Sequence, residues 1–312
     1  MFKNVAKLTV AISFVFAQWT SDSTQNTLIE SALQSQLSPF VQVASDGSTY
    51  IAWGDRRNTP NFDYRIKRLD FSGNVFESYT LSNQHSSSAA GNLEALESDT
   101  EHGVFVLWEQ ITNNRDELRL QHVNSTLDAN GTVFDNSGLV VSGFECDRKN
   151  GSLAVIDRDN AIVSFTTSSC AGSNATDYGN AYVQKINSGT KDWGGNGILA
   201  APRNTNGNNV LDTKAIPGPQ GGAFILFSQN TTSDNSLRIN FVDAQGNFTE
   251  GLSYPSGIGL GNLYNKNNWE MDAAFDGMVG VYVVWRNSSN KMVLQHINLI
   301  NNRLVLTHVS PV

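Results

Sequence analysis

The candidates for catalytic chemistry in this sequence are charged residues that follow short apolar runs. Asp55 and Arg56 follow the run that ends at Trp53, Glu109 follows Trp108, and Arg286 follows Trp285. Two carboxyl groups that face one cavity can hydrolyse a glycosidic bond, one as the acid and one as the base or nucleophile. The alternative is that Asp55 and Glu109 are solvated charges at strand ends. We favour the alternative, so the sequence predicts no catalytic residues and no enzyme.

Motifs for other reactions, metals or cofactors do not occur in the sequence. The five histidines are scattered, and His122 and His296 occupy the same place in two repeats, which indicates a structural role on a strand. There is no nucleophile elbow, His-Glu-x-x-His pair or phosphate loop. The glycine-rich segment 194–197 is predicted to be a turn between strands. We therefore expect neither a metal nor another cofactor.

The apolar runs belong to a segment that recurs five times. Each copy contains an alternating run that ends in Asp or Asn, and these runs end at Asp70, Asn124, Asn187, Asp243 and Asn298. Before each lies a β-branched, apolar run that ends in an aromatic residue: Trp53, Trp108, Phe165, Phe227 or Trp285. A period of about 55 residues is typical of a repeat architecture.

Each repeat is predicted to be a meander of four antiparallel strands. Gly or Asp residues provide the turns, and one such sheet cannot bury both of its faces alone. Five copies in a ring can stack face to face, with the five aromatic residues between the blades. The prediction is an all-β, five-bladed β-propeller over residues 38–312, with blades at about 38–91, 92–145, 146–206, 207–266 and 267–312. The alternative is a β-sandwich whose strands are similar by accident.

The repeats resemble those of sialidase-like secreted propellers over about residues 38–310. The likeness rests on a glycine turn, an apolar strand that ends in Trp, and a polar strand. Sialidase repeats carry a Ser-x-Asp-x-Gly-x-x-Trp box, whereas Ser45-Asp46-Gly47 lacks the spacer. The Arg-Ile-Pro motif and the catalytic residues of that family are not matched either. The resemblance thus implies the propeller fold and not sialidase activity.

The N-terminus has the pattern of a secretory signal peptide. Lys3 and Lys7 precede the apolar stretch 8–17, and Val15 and Ala17 suit a small-residue cleavage site. We expect residues 1–17 to be removed, residues 18–37 to form an N-terminal strand or linker, and the protein to be secreted. The net charge is −8, and there is no run of Lys or Arg. Neither nucleic acid nor a membrane is expected as a partner.

Glycosylation and a disulfide are expected outside the cell. Seven Asn-x-Ser/Thr sequons predict N-linked glycans, at Asn124, Asn130, Asn150, Asn174, Asn230, Asn247 and Asn287. The two cysteines, Cys146 and Cys170, flank the first hairpin of the third repeat. They can therefore meet across two antiparallel strands and form a structural disulfide. A metal or redox pair would need further ligands nearby.

The segment before the first repeat resembles an additional strand, which the five repeats do not need. Residues 26–36 resemble a fourth strand, although the fifth repeat supplies its own. The segment can add to the sheet, remain a tail, or pair with the edge of another copy and form filaments. The candidate donor strand comprises Thr27, Leu28, Ile29, Ala32 and Leu33.

These observations lead to a prediction and an alternative for function. The prediction is a secreted, N-glycosylated, non-enzymatic propeller with a structural or adhesive role, which binds itself or extracellular glycans and can assemble into filaments. The alternative is a lectin-like propeller or a degenerate sialidase-like glycosidase. A lectin should expose aromatic platforms, for which Trp193 and Trp269 are the candidates.

Overall fold

The structure is a computed structural model, and it describes the greater part of residues 28–307. The described residues are 28–33, 35–57, 63–82, 92–112, 115–125, 134, 137–143, 145–168, 170, 179–203, 209–230, 235–249, 257–264 and 271–307. The predicted signal peptide, residues 18–27 with Thr27, the sequons Asn130 and Asn174, and Trp269 lie outside them.

Five antiparallel sheets follow one another along the chain, each built from one contiguous segment. Sheet I contains β1 (Gln36–Val43), β2 (Thr49–Asp55), β3 (Asp63–Leu69) and β4 (Val75–Ser82). Sheet II contains β5 (Leu93–Ser98), β6 (Val104–Thr112), β7 (Arg115–Val123) and β8 (Leu139–Val140). Sheet III contains β9 (Asp147–Val155), β10 (Asn160–Ser168), β11 (Ala181–Asn187), β12 (Thr190–Lys191) and β13 (Ile198–Ala201).

The last two sheets repeat the four-stranded order. Sheet IV contains β14 (Val210–Pro217), β15 (Ala223–Asn230), β16 (Asn235–Val242) and β17 (Ile258–Asn262). Sheet V contains β18 (Met271–Phe275), β19 (Gly280–Arg286), β20 (Met292–Ile300) and β21 (Arg303–Thr307). The 3-10 turn Pro219–Gly221 is the one helical element of the described residues, and none of these residues forms a helix that could cross a membrane. The all-β class and the repeated meander are confirmed.

The hydrophobic core lies between sheets and not inside any one of them. Four apolar clusters join sheets I and II, II and III, III and IV, and IV and V. Each contains one of the predicted aromatic residues, namely Trp108, Phe165, Phe227 and Trp285 in that order. The fifth, Trp53, is buried on the opposite face of sheet I. Sheet stacking of this kind is how a repeat that has two apolar faces removes both from water.

Sheet III departs from the predicted four strands, because two short strands replace its outermost one. Both β12 and β13 pair with β11, and a turn at residues 192–196 separates them. Gly197 closes this turn at φ +83, where a Cβ atom would lie 2.4 Å from the Val183 carbonyl oxygen. Only glycine fits there. The same sheet holds the disulfide between Cys146 and Cys170, which joins the residue before β9 to a residue just after β10.

Candidate functional site

The innermost strands of all five sheets line one central cavity of about 470 Å³. This volume falls within the range of pockets that hold small ligands. The lining comes from Phe40 of β1, residues 94–98 of β5, Ser152 with Leu153 and Val155 of β9, residues 214–217 of β14, and residues 273–275 of β18. Any chemistry in the cavity must therefore come from side chains on these inner strands or from their neighbours.

Two glutamates of sheet II meet at the edge of the cavity. Glu94 on β5 and Glu109 on β6 share a hydrogen bond between their carboxyl groups. The Asn92 side-chain amide donates to Glu109 at 3.5 Å. The backbone N–H groups of Asn150 and Gly151 donate to Glu109 and Glu94, respectively. A hydrogen bond between two carboxyl groups requires that one of them carries a proton.

β-Bulges in two neighbouring inner strands produce this arrangement. The pairing of β5 with β6 shifts between Leu93 and Ala95, which leaves Glu94 as the extra residue. The pairing of β9 with β10 shifts where Asn150 and Gly151 lie, and Asn150 adopts φ 52. A bulge changes the direction of a side chain, or it frees a backbone N–H group that regular strand pairing would use in a hydrogen bond within the sheet. One bulge therefore supplies the acid, and the next supplies the N–H groups that bind the acid pair.

Gly151 allows the two sheets to approach at this point. A Cβ atom on Gly151 would lie 2.8 Å from a Leu107 methyl carbon and 2.9 Å from one of Leu118. Both leucines belong to sheet II and are fully buried. Since neither can move without disturbing the core, glycine is needed here for the N–H group to reach Glu94.

Burial and mutual repulsion keep this carboxyl pair protonated. Burial raises the pKa of Glu94 to about 8, and the nearby Glu109 charge adds to the effect. Burial also raises the pKa of Glu109 to about 7, aided by the charge of Asp116 and opposed by Lys149. Lys149 in turn binds Asp116 at 2.8 Å. At neutral pH the pair consequently holds a proton that it can donate.

Asp212 on β14 is the third carboxyl group of the site. Its charge adds to the raised pKa of Glu94, after burial and the Glu109 charge. Burial raises the pKa of Asp212 itself to about 6. Asp212 is therefore ionised at a pH where Glu94 is still protonated. Carboxyl groups whose pKa values differ in this way can take the roles of acid and base.

Asp55 does not join Glu109, contrary to the possibility raised by the sequence. Asp55 is buried and accepts hydrogen bonds from Arg57 at 2.5 and 2.9 Å and from the Trp53 indole at 3.3 Å. Although burial opposes it, the Arg57 hydrogen bonds lower the pKa of Asp55. Asp55 lies two residues after its aromatic residue and Glu109 lies one residue after. Because side chains alternate along a strand, the two carboxyl groups project from opposite faces of their sheets.

The remaining charged candidates also lie away from the acid pair. Arg286 stacks on Tyr264 at 4.1 Å and donates to Asn290. Arg56 is exposed directly after β2. His122 and His296 have equivalent structural contacts: each pairs with an aspartate, at 2.7 and 3.0 Å, and stacks on an aromatic ring. Within the described residues, no cluster of three or more His, Cys, Asp or Glu residues could hold a metal ion.

Other predicted residues have contacts that bear on function. Leu28, Ile29, Ala32 and Leu33 of the predicted donor segment form no strand, and Ile29 lies with Glu30 beside Trp53. Trp193 is half-buried against the core between sheets III and IV, so it is no open platform. The sequon residue Asn150 lies in β9, and its amide donates to the Leu211 carbonyl oxygen at 2.7 Å. Asn124, Asn230, Asn247 and Asn287 lie at strand ends or turns.

Comparison with known proteins shows the fold. No protein-family model and no curated protein matches the sequence. An ulvan lyase of polysaccharide lyase family PL25, solved with a GlcA–Rha3S ligand, is 11% identical with a TM-score of 0.51, over 86% of this chain and 68% of that one. The Penicillium chrysogenum α-L-arabinanase, solved with arabinobiose, is 13% identical with a TM-score of 0.50, over 84% and 77%. A Dyadobacter fermentans protein of unknown function is 11% identical with a TM-score of 0.50, over 87% and 78%.

These similarities support a propeller-like fold and correct one prediction. The sequence predicts a protein without enzymatic activity. That prediction is wrong, because the solved structures of this architecture include polysaccharide lyases and glycoside hydrolases. Among the charged residues that the sequence offers, Glu109 and Asp55 were the candidate pair, and Glu94 and Asp212 were not among them. Both acids lie near the start of the first strand of a repeat, Glu94 in β5 and Asp212 in β14.

Proposed function

We propose that the five sheets are the blades of one propeller and that its central cavity binds and cleaves a glycan. The observation that carries the proposal is the hydrogen-bonded Glu94–Glu109 pair, protonated near neutral pH at the edge of a cavity of about 470 Å³. Support for the substrate class comes from the similar structures, one solved with arabinobiose and one with a uronate–rhamnose ligand.

The chemistry proposed is hydrolysis of a glycosidic bond. Glu94, held by Glu109 and the Gly151 N–H group, donates its proton to the leaving oxygen as the C–O bond breaks. Asp212, ionised above a pH of about 6, takes a proton from the attacking water or attacks the sugar itself. Lys149 and Asp116 act as positioning residues, because they set the charge around Glu109.

The test compares the wild-type protein with Glu94→Gln, Glu109→Gln and Asp212→Asn. Each is incubated with arabinan, ulvan and other plant and algal polysaccharides, and new reducing ends are measured. We expect all three variants to lose at least about 100-fold in rate, as removal of an acid or base does. Glu101→Gln, at an exposed turn, is the matched control and should retain full activity. Equal rates in Glu94→Gln and wild type would refute the assignment.

We also propose that the protein is secreted and N-glycosylated. The support is the signal-peptide pattern of residues 1–17, the sequons, and the disulfide between Cys146 and Cys170, since disulfides persist in oxidising compartments. N-terminal sequencing of the protein from the medium of expressing cells should begin near Gln18. An N-terminus at Met1 in material retained by the cells would contradict secretion.

A further inference from the structure

One residue from each innermost strand forms a level around the central cavity. In every sheet this residue pairs with the one that precedes the aromatic residue of the second strand. The five residues are Phe40, Ala95, Ser152, Lys214 and Asp272. The first four line the cavity, and only Lys214 and Asp272 are charged. Equivalent places in two successive sheets therefore bring a cation and an anion together at the cavity.

Lys214 on β14 and Asp272 on β18 form an ion pair at this level. The Lys214 ammonium donates a hydrogen bond to the Asp272 carboxylate. The side chain of Lys214 is 37% exposed and that of Asp272 is 69% exposed, so a ligand in the cavity can reach both. Although burial opposes it, this hydrogen bond lowers the pKa of Asp272. Since an ammonium has three N–H donors and a carboxylate has about four acceptor sites, the pair retains hydrogen-bonding capacity for a ligand.

Two further carboxyl groups depend on the charge of Lys214. Asp212 precedes Lys214 by two residues in regular pairing, so the two side chains lie on the same face of β14. Burial raises the pKa of Asp212 to about 6, opposed by the Thr213 N–H group and the Lys214 charge. Burial also raises the pKa of Glu97, which lines the cavity, and Lys214 again opposes the rise. Of the described residues that line the cavity, Lys214 is the one cation. A single positive charge is thus shared among three carboxyl groups.

This distribution of charge disfavours an anionic ligand. A sugar carboxylate or sulfate would share Lys214 with Asp272 and would lie near Asp212, which is ionised above a pH of about 6. Like charges placed together in a binding site suppress the wrong partner. A neutral sugar meets no such repulsion, because its hydroxyl groups accept from the ammonium and donate to the carboxylate. The half-buried side chains of Phe40 and Phe275 line the same cavity and offer apolar surface to the C–H groups of the sugar.

We propose that Lys214 and Asp272 are specificity-determining residues, which bind the hydroxyl groups of a neutral sugar and exclude a sugar that carries a carboxylate or sulfate. The inference rests on the proposed glycan-binding cavity and adds the substrate class. Asp272 occupies the one cation of the lining that an acidic sugar could use. Removal of Asp272 should therefore differ in its effect from removal of Lys214.

The test measures oligosaccharide binding at pH 7 by isothermal titration calorimetry. All proteins carry Glu94→Gln, because glutamine resembles the protonated carboxyl group and prevents the proposed cleavage. The neutral probes are cello-, galacto- and arabino-oligosaccharides, and the anionic probes are cellouronate and oligogalacturonate. The best neutral probe should bind at least about 10-fold more tightly than either anionic probe. Adding Asp272→Asn should strengthen anionic binding at least about 10-fold and weaken neutral binding, because Lys214 loses its partner. Adding Lys214→Met should weaken neutral binding without any gain in anionic binding.

The matched control is Asp159→Asn, which removes the same charge from an exposed turn and should change neither affinity. So exposed an ion pair contributes little to stability, and all variants should fold like the wild type. Preferred binding of anionic probes, binding of no probe, or an equal loss of both classes in Asp272→Asn would overturn the proposal. Wild-type cleavage reports separately on hydrolysis. Cleavage of acidic polysaccharides alone would support hydrolysis and refute this specificity, whereas selective neutral binding without new reducing ends would refute hydrolysis alone.

Discussion

Glu94 and Glu109 share a hydrogen bond between two neighbouring strands of sheet II, and the N–H groups of a bulge in sheet III bind both. Glu109 pairs regularly with Leu118, whereas Glu94 is the extra residue of a bulge. The bulge at Glu94 turns its side chain toward Glu109, and the bulge at Asn150 delivers two consecutive donors. Hydrogen bonds to the protonated Glu94–Glu109 pair thereby connect sheet III to sheet II.

The pH dependence of stability tests the raised pKa values. The pKa of Glu94 is about 8 in the folded protein, above its ordinary value of 4.5. Its contribution to stability is therefore complete below a pH of about 4.5 and is lost as the pH rises through 8. The melting temperature should fall between pH 5 and 9 and should fall less in Glu94→Gln. Identical profiles for both proteins would show that Glu94 titrates normally.

The glycine in the bulge is expected to be essential for both stability and activity. Gly151→Ala forces a methyl group against Leu107 and Leu118, so we expect a loss of about 1–3 kcal/mol in the free energy of unfolding. The Gly151 N–H group should also retreat from Glu94, which lowers activity beyond the loss of stability. Gly195→Ala, where a Cβ atom meets nothing within 4 Å, is the control for chemical denaturation. Equal stability of the two variants would contradict the packing described.

Asn150 is expected to remain unglycosylated although its sequon is intact. Its amide donates to the Leu211 carbonyl oxygen at 2.7 Å and to the Thr166 hydroxyl at 3.3 Å, next to the acid pair. A glycan on this nitrogen would remove a donor and occupy the approach to Glu109. Asn247 lies exposed in a turn and provides the comparison. Glycopeptide mass spectrometry should find Asn247 modified and Asn150 bare; full occupancy at Asn150 would exclude the proposed site.

The buried Asp55 should be a stability residue without a role in cleavage. Its removal in Asp55→Ala leaves Arg57 and the nearby Arg65 without their shared carboxylate, at a cost of about 3 kcal/mol in unfolding free energy. Asp159→Ala, on an exposed turn, should change the free energy of unfolding by less than about 0.5 kcal/mol. Denaturant unfolding measures both. A loss of activity in folded Asp55→Ala as large as in Glu94→Gln would contradict this separation of roles.

The sequence predicted the architecture because the repeat and the alternation of side chains are local signals. The strand ending at Phe275 and the aromatic residue Trp108 were placed by pattern alone. The site was predicted in part: Glu109 was recognised as a candidate, but its partner Glu94 becomes one only through a bulge. A bulge shifts a side chain without changing the composition of the strand, so no periodicity reveals it. The position of Asp55, by contrast, could have been corrected by counting residues from Trp53.

The most direct test of the proposed function is the release of reducing ends from a polysaccharide panel by the secreted protein, measured from pH 5 to 9. The proposed reaction requires Asp212 to be ionised and the Glu94–Glu109 pair to be protonated. The value of kcat/KM should therefore be highest between about pH 6 and 8. Glu94→Gln should abolish this activity while the protein remains folded by circular dichroism. Cleavage that is unchanged in Glu94→Gln, or that has no alkaline limit, would contradict the assignment of this pair as the proton donor.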